Sequence, residues 1–512
     1  MDFISRRRAL EVLDWAVENP LLCAGIASAA GAVVVGIQTI RAWLRLRHIP
    51  GPPLAGFTNL WLVRVIMGGN AHWELGLANE KYGPLCRIGP NELVTGDPTM
   101  LRRMLGVRSP YRRSDWYIAM RFDPNSDNIL SQRDNTLHHA LRSKMSAGYT
   151  GKDIEEVENK IDRNINTLLS LIYNKYDSTS PSPIRPFDFG RIAQYFTLDV
   201  ISDLAYSEAF GCLQEDRDTY GYIEAVEQNM PFIMFVSTMP KLSWVLRTGI
   251  LKAFMPSEKD DIGFGRVLRI CKEKAAERFG PDAKDQRDML GSFVRHGLTQ
   301  PEAESESLLQ IVAGSETTAT AIRVTLLHVI TNPSIYNKLV SEILTAVHEQ
   351  DLPSPVPDSV AKKLPYLQAV IKEGLRIWPP ITGLMSKVVP PEGDTFRGME
   401  LPPGTVIGYS AFGLSRNKEV WGEDANFFRP ERWMEGTEEE MKVKEAAVDL
   451  VFGHGRWLCL GKNVAYIELN KIIFELLRHF EIHVANPTQV WDSTCIGIFM
   501  QRDFWLVARR RE

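Results

Sequence analysis

Hydrophobic residues recur at three- and four-residue spacing along much of this chain, which is the pattern of helices that bury one face. The pattern is clearest in residues 153–173, 192–209 and 302–331. The last of these segments starts with Thr299 and Glu302 at the spacing of a capping box. Helices therefore account for most of the predicted structure.

Short strands interrupt the predicted helices. Residues 84–97 read as two strands around a turn, and further short strands are predicted at residues 384–388, 405–409 and 504–508. Strands and helices do not alternate in the βαβ order that would build a doubly wound sheet. The predicted fold class is therefore mainly α with small β-sheets.

Near the amino terminus, residues 21–40 carry no charged side chain. As a helix this segment would be about 30 Å long, which matches the hydrocarbon core of a bilayer. A buried core helix and a cleaved signal peptide are the alternatives, although the apolar run starts late and is too long for a signal peptide. We therefore predict a retained transmembrane anchor.

The predicted anchor divides the chain into four parts. Residues 1–20 precede it as a short segment, and residues 41–56 follow it as a basic, proline-rich hinge, because proline cannot continue a helix. Residues 57–512 form the remaining domain. Arginines flank the anchor on both sides, so the charges alone do not set its orientation.

The composition is that of a globular protein, with 44% hydrophobic residues, 24% charged residues and a net charge of -4. Basic residues form no long block outside the two termini, so nucleic acid binding is not expected. The six cysteines include no CxxC pair, which favours buried hydrophobic side chains or single ligands over disulfides.

One cysteine, Cys459, stands in the glycine-rich stretch VFGHGRWLCLGK, residues 451–462, directly before an amphipathic helical pattern. Backbone N–H groups at the start of a helix stabilise a thiolate. A single thiolate ligand is suited to haem iron. The alternative is a glycine-rich turn that holds an inert buried cysteine.

This stretch resembles the haem-binding loop of the cytochrome P-450 family, Phe-Gly-x-Gly-x-Arg-x-Cys-x-Gly. The matching residues are Phe452, Gly453, Gly455, Cys459 and Gly461. Trp457 stands where the family has the arginine that contacts a haem propionate, and Arg456 comes one residue early. Either Arg456 or the indole N–H of Trp457 is expected to take that role. The variant is similar to loops of fungal secondary-metabolism members such as pisatin demethylase.

Residues 313–318, with the sequence AGSETT, resemble the oxygen-activation segment of the same family. The resemblance implies that Gly314 leaves room for dioxygen. A carboxylate and a hydroxyl at the neighbouring positions Glu316 and Thr317 are suited to proton delivery. The alternative is an incidental polar patch on a helix.

Two further motifs of the family are present. Glu373 and Arg376 match Glu-x-x-Arg, and with Arg432 of the stretch FRPERW they are implied to form a buried network that supports the cysteine loop. An ordinary helix salt bridge is the alternative for the first pair. His138 and Arg142 lie where the family binds haem propionates, and a solvated basic helix face is the alternative there.

The resemblance also places three apolar segments around a lipophilic substrate. Residues 230–240 correspond to the loop that covers substrate access and faces the membrane, and residues 379–386 and 496–500 are implied to line the pocket. A terpenoid, a polyketide or an alkaloid of a fungal secondary pathway would fit such a lining.

The resemblance implies the mostly helical P-450 fold, with haem b bound by the Cys459 thiolate, and an enzyme that inserts one oxygen atom of O2 into its substrate. Its electrons are expected from NADPH through the membrane-bound NADPH–cytochrome P-450 reductase, because the sequence has no GxGxxG fingerprint of its own. The implied location is the endoplasmic reticulum membrane, single-pass, with residues 1–20 in the lumen and the catalytic domain cytosolic. The alternatives are a haem-thiolate isomerase or dehydratase that does not consume O2, and a non-catalytic haem-binding protein.

Overall fold

The computed structural model describes residues 18–122, 126–151, 153–154, 156–179, 183–240, 242 and 260–511. The helices in chain order, α1 to α19, are Pro20–Leu46, Leu60–Met67, Ala71–Tyr82, Pro98–Leu105, Asn135–Tyr149, Val157–Leu171, Phe189–Tyr206, Cys212–Glu215, Tyr222–Thr238, Gly263–Ala276, Met289–Arg295, Gln300–Ile330, Pro333–Gln350, Asp358–Ala361, Pro365–Ile377, Ala411–Ser415, Lys418–Trp421, Glu438–Val448 and Lys462–His479. The strands, β1 to β12, are Leu85–Arg87, Glu92–Thr95, Arg112–Arg113, Phe187–Asp188, Lys387–Val388, Asp394–Phe396, Met399–Leu401, Val406–Tyr409, Phe480–Val484, Asp492–Cys495, Phe499–Arg502 and Trp505–Arg510.

The predicted helices are present with shifted ends. The first, predicted at residues 153–173, is α6 and runs on into a π-helical turn at Ile172–Tyr176. The second is α7, and the third is α12. Helix α12 begins with the predicted capping box, in which the Thr299 N–H donates to Glu302 Oε2 at 2.8 Å. These outcomes confirm the mainly helical fold class.

Four small sheets accompany the helices in the part of the chain that the structure describes. The largest has the strand order β1-β2-β8-β5-β3, and it contains the two predicted strands of residues 84–97 as the antiparallel pair β1 and β2. The strands predicted at residues 384–388, 405–409 and 504–508 are present as β5, β8 and β12, although β5 is only two residues long. In this sheet β3 pairs antiparallel with β5, and Arg113 lies directly opposite Lys387.

Helix α12 crosses the hydrophobic core and packs against α7, α10, α15 and α19. Most of its length is buried, and the side chains of Leu308, Ile311, Ile322 and Val324 have no exposed surface. Because α19 directly follows the Cys459 loop, this packing joins the predicted oxygen-activation segment and the cysteine loop in one core.

The predicted anchor is the exposed helix α1, whose most apolar window has a mean hydropathy of 2.1. The helix continues past Ile40 to Leu46. Residues 41–46, the first part of the predicted hinge of residues 41–56, are therefore helical. The rest of that hinge is not a free spacer, because the Arg87 N–H donates to the Pro50 carbonyl oxygen at 2.8 Å. Residues 1–17 of the predicted amino-terminal segment lie outside the described residues.

Candidate active site

The Cys459 loop is a tight turn that glycine makes possible. Gly453 and Gly455 have positive φ angles of 77° and 60°, a region that other residues seldom adopt. A Cβ atom at Gly455 would lie 2.6 Å from the Leu105 carbonyl oxygen, so the loop also approaches the end of α4 closely. The Cys459 N–H donates to the Phe452 carbonyl oxygen at 2.7 Å and closes the turn.

The side chain of Cys459 is accessible, although many protein atoms lie around its sulfur. Burial raises the pKa of the Cys459 thiol, while the backbone N–H groups of Gly461 and Lys462 and the charge of Arg142 act in the opposite direction. These N–H groups belong to the start of α19, as the sequence predicted. An accessible sulfur with donors for its anion can serve as a metal ligand.

Glu373, Arg376 and Arg432 form a fully buried ion-pair network. Arg376 Nη2 and Arg432 Nε donate to Glu373 Oε1 at 2.8 and 2.9 Å. The indole of Trp433 donates to the other carboxylate oxygen at 2.9 Å. The Arg429 N–H donates to Glu373 Oε1 at 2.8 Å, so the network also fixes the main chain of this segment. The structure thus brings together the three residues that the sequence proposed for this network.

Helix α5 brings His138 and Arg142 to the cysteine loop. Arg142 Nη1 donates to the Leu458 carbonyl oxygen at 2.6 Å, next to Cys459. The ring of His138 lies 4.4 Å from the Trp457 ring, and its Nδ1 is buried without a hydrogen-bond partner among the described residues. Both side chains therefore face the loop rather than solvent.

Trp457 lies in a cluster of positive charges. The Arg113 guanidinium is 4.1 Å and Lys387 Nζ 3.4 Å from the centre of the indole ring. Since β3 and β5 place these two cations directly opposite each other, their repulsion is unfavourable in this sheet unless an anion lies nearby. No sequence motif marks Arg113 or Lys387, because the two residues meet only through strand pairing.

The electrostatics of this cluster indicate a site for an anionic group. Burial, together with the charges of Arg113 and Arg456, lowers the pKa of Lys387 well below its usual value. Burial and the surrounding cations lower the pKa of His138 to about 3. Lys387 Nζ is buried and has no hydrogen-bond partner among the described residues. Unpaired buried donors of this kind fit the carboxylates of haem beside the Cys459 sulfur.

Arg456 points to a different neighbour. Its guanidinium donates to the carbonyl oxygen of Val107, just after α4, and so ties the cysteine loop to that segment. Of the two alternatives for the missing arginine, Trp457 lies between Arg113 and Lys387, whereas Arg456 donates to the main chain of Val107 while its charge still acts on Lys387 and His138. Phe452, the first residue of the motif, packs its ring 5.4 Å from that of Tyr466 on α19.

Within α12, Ala313, Gly314 and Thr317 are the accessible residues of the AGSETT segment. Ala313 is exposed and Thr317 partly exposed, whereas Ser315, Glu316 and Thr318 are buried. The Thr317 hydroxyl donates to the Ala313 carbonyl oxygen at 2.8 Å. This hydroxyl can therefore accept a hydrogen bond from, and exchange a proton with, a group in the adjoining space.

Glu316 does not join Thr317 in this arrangement. Its carboxylate pairs with Arg323 Nη1 at 2.9 Å and accepts a hydrogen bond from Gln194 of α7. Arg323 has no exposed surface and also donates to the Gly190 carbonyl oxygen. The carboxylate thus helps to hold α12 on α7. Its role in proton delivery stays a prediction.

Gly314 also faces α7 rather than an open space. A Cβ atom at this position would lie 2.7 Å from Ile201 Cγ1 and 3.0 Å from Ile201 Cδ1. Glycine is therefore required because the two helices approach closely. The expectation that Gly314 leaves room for dioxygen stays a prediction.

The three predicted substrate-lining segments meet. The N–H groups of Thr382 and Gly383 donate to the Gly497 carbonyl oxygen at 2.8 and 2.7 Å. A Cβ atom at Gly497 would lie 3.0 Å from the sulfur of Met234. Residues 230–240, which were expected to form a loop, belong to helix α9 as far as Thr238.

Comparison with known proteins agrees with this geometry. Residues 49–503 match the cytochrome P450 family. The chain is 43% identical to the cytochrome P450 monooxygenase ABA1 of Pyricularia oryzae over 491 residues, which cover 94% of this chain and 96% of that protein. It is 41% identical to the monooxygenase aba1 of Botryotinia fuckeliana over 462 residues, 89% of this chain and 90% of that protein.

A third fungal relative, the monooxygenase abl1 of Leptosphaeria maculans, is 37% identical over 455 residues, 88% of this chain and 80% of that protein. The chain therefore belongs to the cytochrome P450 family, and it is a haem-thiolate monooxygenase. The comparisons confirm the predicted family, enzyme class and cofactor.

Substitutions at Gly314 and Ile201 test whether glycine is needed at position 314 because α12 and α7 pack closely there. Gly314→Ala should cost about 1–3 kcal/mol through overpacking, and Ile201→Ala should cost about 2–5 kcal/mol through a cavity. In the double variant the new methyl group enters that cavity, so the losses should fall short of their sum by about 1 kcal/mol. Thermal unfolding midpoints of the haem-loaded proteins measure this coupling. Strictly additive losses would contradict the packing role of Gly314.

Proposed function

We propose that this P450 hydroxylates or otherwise oxidises a lipophilic small molecule in fungal secondary metabolite biosynthesis, with electrons from NADPH delivered by a membrane-bound reductase. The relatives, all fungal P450 monooxygenases, support this class of reaction. The proposal rests above all on the accessible Cys459 sulfur in the same loop as Trp457, whose ring lies against the buried Lys387 Nζ that has no hydrogen-bond partner among the described residues. In the overall reaction the substrate C–H bond, O2, NADPH and a proton give an alcohol, water and NADP+.

The apolar contacts among the three lining segments support a lipophilic substrate. Trp116 packs against Gly383, whose Cβ position would lie 3.2 Å from the indole ring. Met230, Met234 and Ile496 are buried, and Met side chains adapt to irregular apolar shapes. A terpenoid, a polyketide or an alkaloid is a suitable substrate for this lining, and a charged metabolite is not.

Each part of the site has a task in this function. Cys459 ligates the iron as its thiolate, held by the N–H groups at the start of α19. Bound haem supplies the activation of O2 and the insertion of one oxygen atom. Arg113, Lys387, His138 and Arg142 hold the haem carboxylates, and the network of Glu373, Arg376 and Arg432 keeps the loop in place.

In this proposal Thr317 is the residue of α12 that handles protons. Its hydroxyl is anchored to the Ala313 carbonyl oxygen, so its lone pairs point away from that carbonyl and can accept from water or substrate. Glu316 acts as a positioning residue through Arg323 and Gln194.

We propose a single-pass anchor in the endoplasmic reticulum membrane, with the catalytic domain on the cytosolic side. The length, apolar composition and exposure of α1 support the anchor, and the location and orientation are those implied by the resemblance to membrane-bound family members. A membrane location brings the enzyme to lipophilic substrates and to a membrane-bound reductase.

Thiolate ligation is tested by Cys459→Ala. The reduced protein with carbon monoxide should show the red-shifted Soret band of haem-thiolate proteins, and Cys459→Ala should abolish it. Cys495→Ala is the matched control, because Cys495 is a buried cysteine on β10 outside the loop. An unchanged band in Cys459→Ala would exclude Cys459 as the ligand.

Thr317→Ala should uncouple O2 consumption from product formation, because the hydroxyl that delivers protons for productive turnover is removed. We expect NADPH and O2 consumption to continue, hydrogen peroxide to accumulate, and product per O2 consumed to fall about tenfold. Thr320→Ala, one turn away with a buried hydroxyl that has no partner among the described residues, should leave coupling unchanged. Full coupling in Thr317→Ala would remove this residue from the mechanism, and turnover without O2 would favour an isomerase or dehydratase.

Lys387→Met should weaken haem retention, because it removes a charged donor from the cation cluster. A charge-assisted hydrogen bond contributes about 1.5–3 kcal/mol, so we expect haem transfer to excess apomyoglobin to accelerate about tenfold or more. Lys387→Arg, which keeps the charge, should stay close to the native rate. Lys442→Met on exposed α18 is the control, with a side chain that is 66% exposed. Equal transfer rates in Lys387→Met and Lys442→Met would refute a role for Lys387 in holding the haem.

A further inference from the structure

Glu306 on α12 carries a buried carboxyl group that has no part in the site described above. The residue is only 1% exposed. Its Oε1 accepts a hydrogen bond from the Ile129 N–H at 2.7 Å. Its Oε2 is buried and has no hydrogen-bond partner among the described residues. Because an unpaired buried polar atom is unfavourable, this oxygen indicates a partner that binds from outside the chain.

Glu306 lies on the side of α12 that carries the accessible residues Ala313 and Thr317. Ala313 follows Glu306 by seven residues and Thr317 follows it by eleven. At about 100° per residue, their directions lie about 20° to either side of the direction of Glu306. Along the helix axis Glu306 is about 10.5 Å from Ala313. A small molecule beside Ala313 can therefore extend as far as the carboxyl group.

A rigid turn at residues 128–131 holds this carboxyl group in one orientation. Asn128 Oδ1 accepts from two N–H groups of the turn at 3.0 and 2.8 Å. Arg113 Nη1 donates to the Ile129 carbonyl oxygen at 2.7 Å. The main chain of Ile129 is thus held by Arg113 on one side and by Glu306 on the other. A polar group that is fixed in advance loses little freedom when a ligand binds.

The protonation state of Glu306 decides which partner it can take. Burial raises the pKa of Glu306 to about 8, and the charge of Glu302 acts in the same direction, whereas the Ile129 N–H acts against them. The carboxyl group is therefore mainly protonated at neutral pH. A protonated carboxyl has one O–H donor, and because Oε1 already accepts from Ile129, the donor is Oε2. The missing partner is thus a hydrogen-bond acceptor.

The surroundings of Glu306 favour an uncharged acceptor. Ile129 and Leu130 are partly buried against the hydrophobic core. Leu309, between Glu306 and Ala313 on the same side of α12, is also buried. Lys144 of the neighbouring helix α5 pairs with Glu302 at 3.0 Å instead. An apolar wall with one placed polar group is typical of a site that orients a lipophilic molecule.

We propose that Glu306 determines specificity by donating a hydrogen bond to an acceptor oxygen, such as a carbonyl, at the end of the substrate remote from the oxidised carbon. A partly exposed neighbour such as Leu130 changes its rotamer to admit this oxygen, since such changes are common on binding. The inference rests on the function proposed above and adds the substrate class, a lipophilic molecule with an uncharged oxygen function at one end.

The test uses the full-length, haem-loaded protein and two 1-alkylimidazole probes. The imidazole of each probe ligates the haem iron, and its chain covers the distance of about 10.5 Å between Ala313 and Glu306 along the helix axis. One probe ends in a methyl ketone, and the other ends in an isopropenyl group of the same shape without an acceptor oxygen. The red shift of the Soret band gives both dissociation constants, and their ratio cancels effects that the probes share.

Glu306→Leu should weaken binding of the ketone relative to the isopropenyl probe by about three- to tenfold, which is the contribution of one neutral hydrogen bond. Glu306→Gln keeps a donor and an acceptor, so it should retain the native ratio. Glu306→Asp keeps the acid on a shorter side chain, so the ketone probe that binds best should become one carbon longer.

Glu304→Leu is the matched control, because Glu304 lies about 200° around the same helix from Glu306 and accepts from Gln300 at 3.0 Å. It should retain the native ratio. An unchanged haem-thiolate spectrum with carbon monoxide shows that each variant is folded.

The other outcomes separate this inference from the function on which it rests. An unchanged ratio in Glu306→Leu, whether or not both probes bind more weakly, overturns the inference and leaves the proposed function standing. The same change of ratio in Glu304→Leu as in Glu306→Leu also overturns the inference. A native protein whose Soret band shifts with neither probe has no accessible haem beside α12, and this result overturns the proposed function and the inference together.

Discussion

The structure depends on one buried carboxylate, that of Glu373. It has no exposed surface and is surrounded by Arg376, Arg432, Trp433 and the Arg429 N–H. Burial alone would raise the pKa of Glu373, but the two guanidinium groups lower it, so the carboxylate stays charged. Removing one partner of such a network costs about 3–5 kcal/mol, and the chain that leads to the cysteine loop is therefore held in a single arrangement.

The cation cluster around Trp457 differs from this network in one respect. In the Glu373 network every charge has its counter-charge, whereas Lys387 is buried beside Arg113 and has no partner among the described residues. A fold has no reason to bury like charges opposite each other on paired strands unless a ligand compensates them. The paired charges around Glu373 thus hold the main chain in place, and the unpartnered Lys387 is the reason for proposing that an anionic part of the cofactor binds beside Trp457.

Helix α12 shows how neighbouring residues of one motif divide their tasks. Successive residues point about 100° apart around a helix, so a short motif reaches several different neighbours. Gly314 and Glu316 face α7, where they allow close packing and pair with Arg323, while Thr317 remains accessible beside Ala313. A family motif in a sequence therefore does not assign one chemical role to all its members.

The amino-acid sequence by itself determined the family, the mainly helical fold, the cysteine loop before its helix, and the apolar helix near the amino terminus. Each of these features depends on a short stretch of chain: on motif residues, on helical spacing, on glycines that permit a turn, or on an uncharged run about as long as a bilayer is thick. Only the tertiary structure decided that Lys387 stands opposite Arg113, that Glu316 pairs with Arg323, and that Ile129 donates to Glu306. Strand pairing and helix packing bring together residues that are distant in the chain, and the direction of a side chain within a motif depends on the neighbours that the fold supplies.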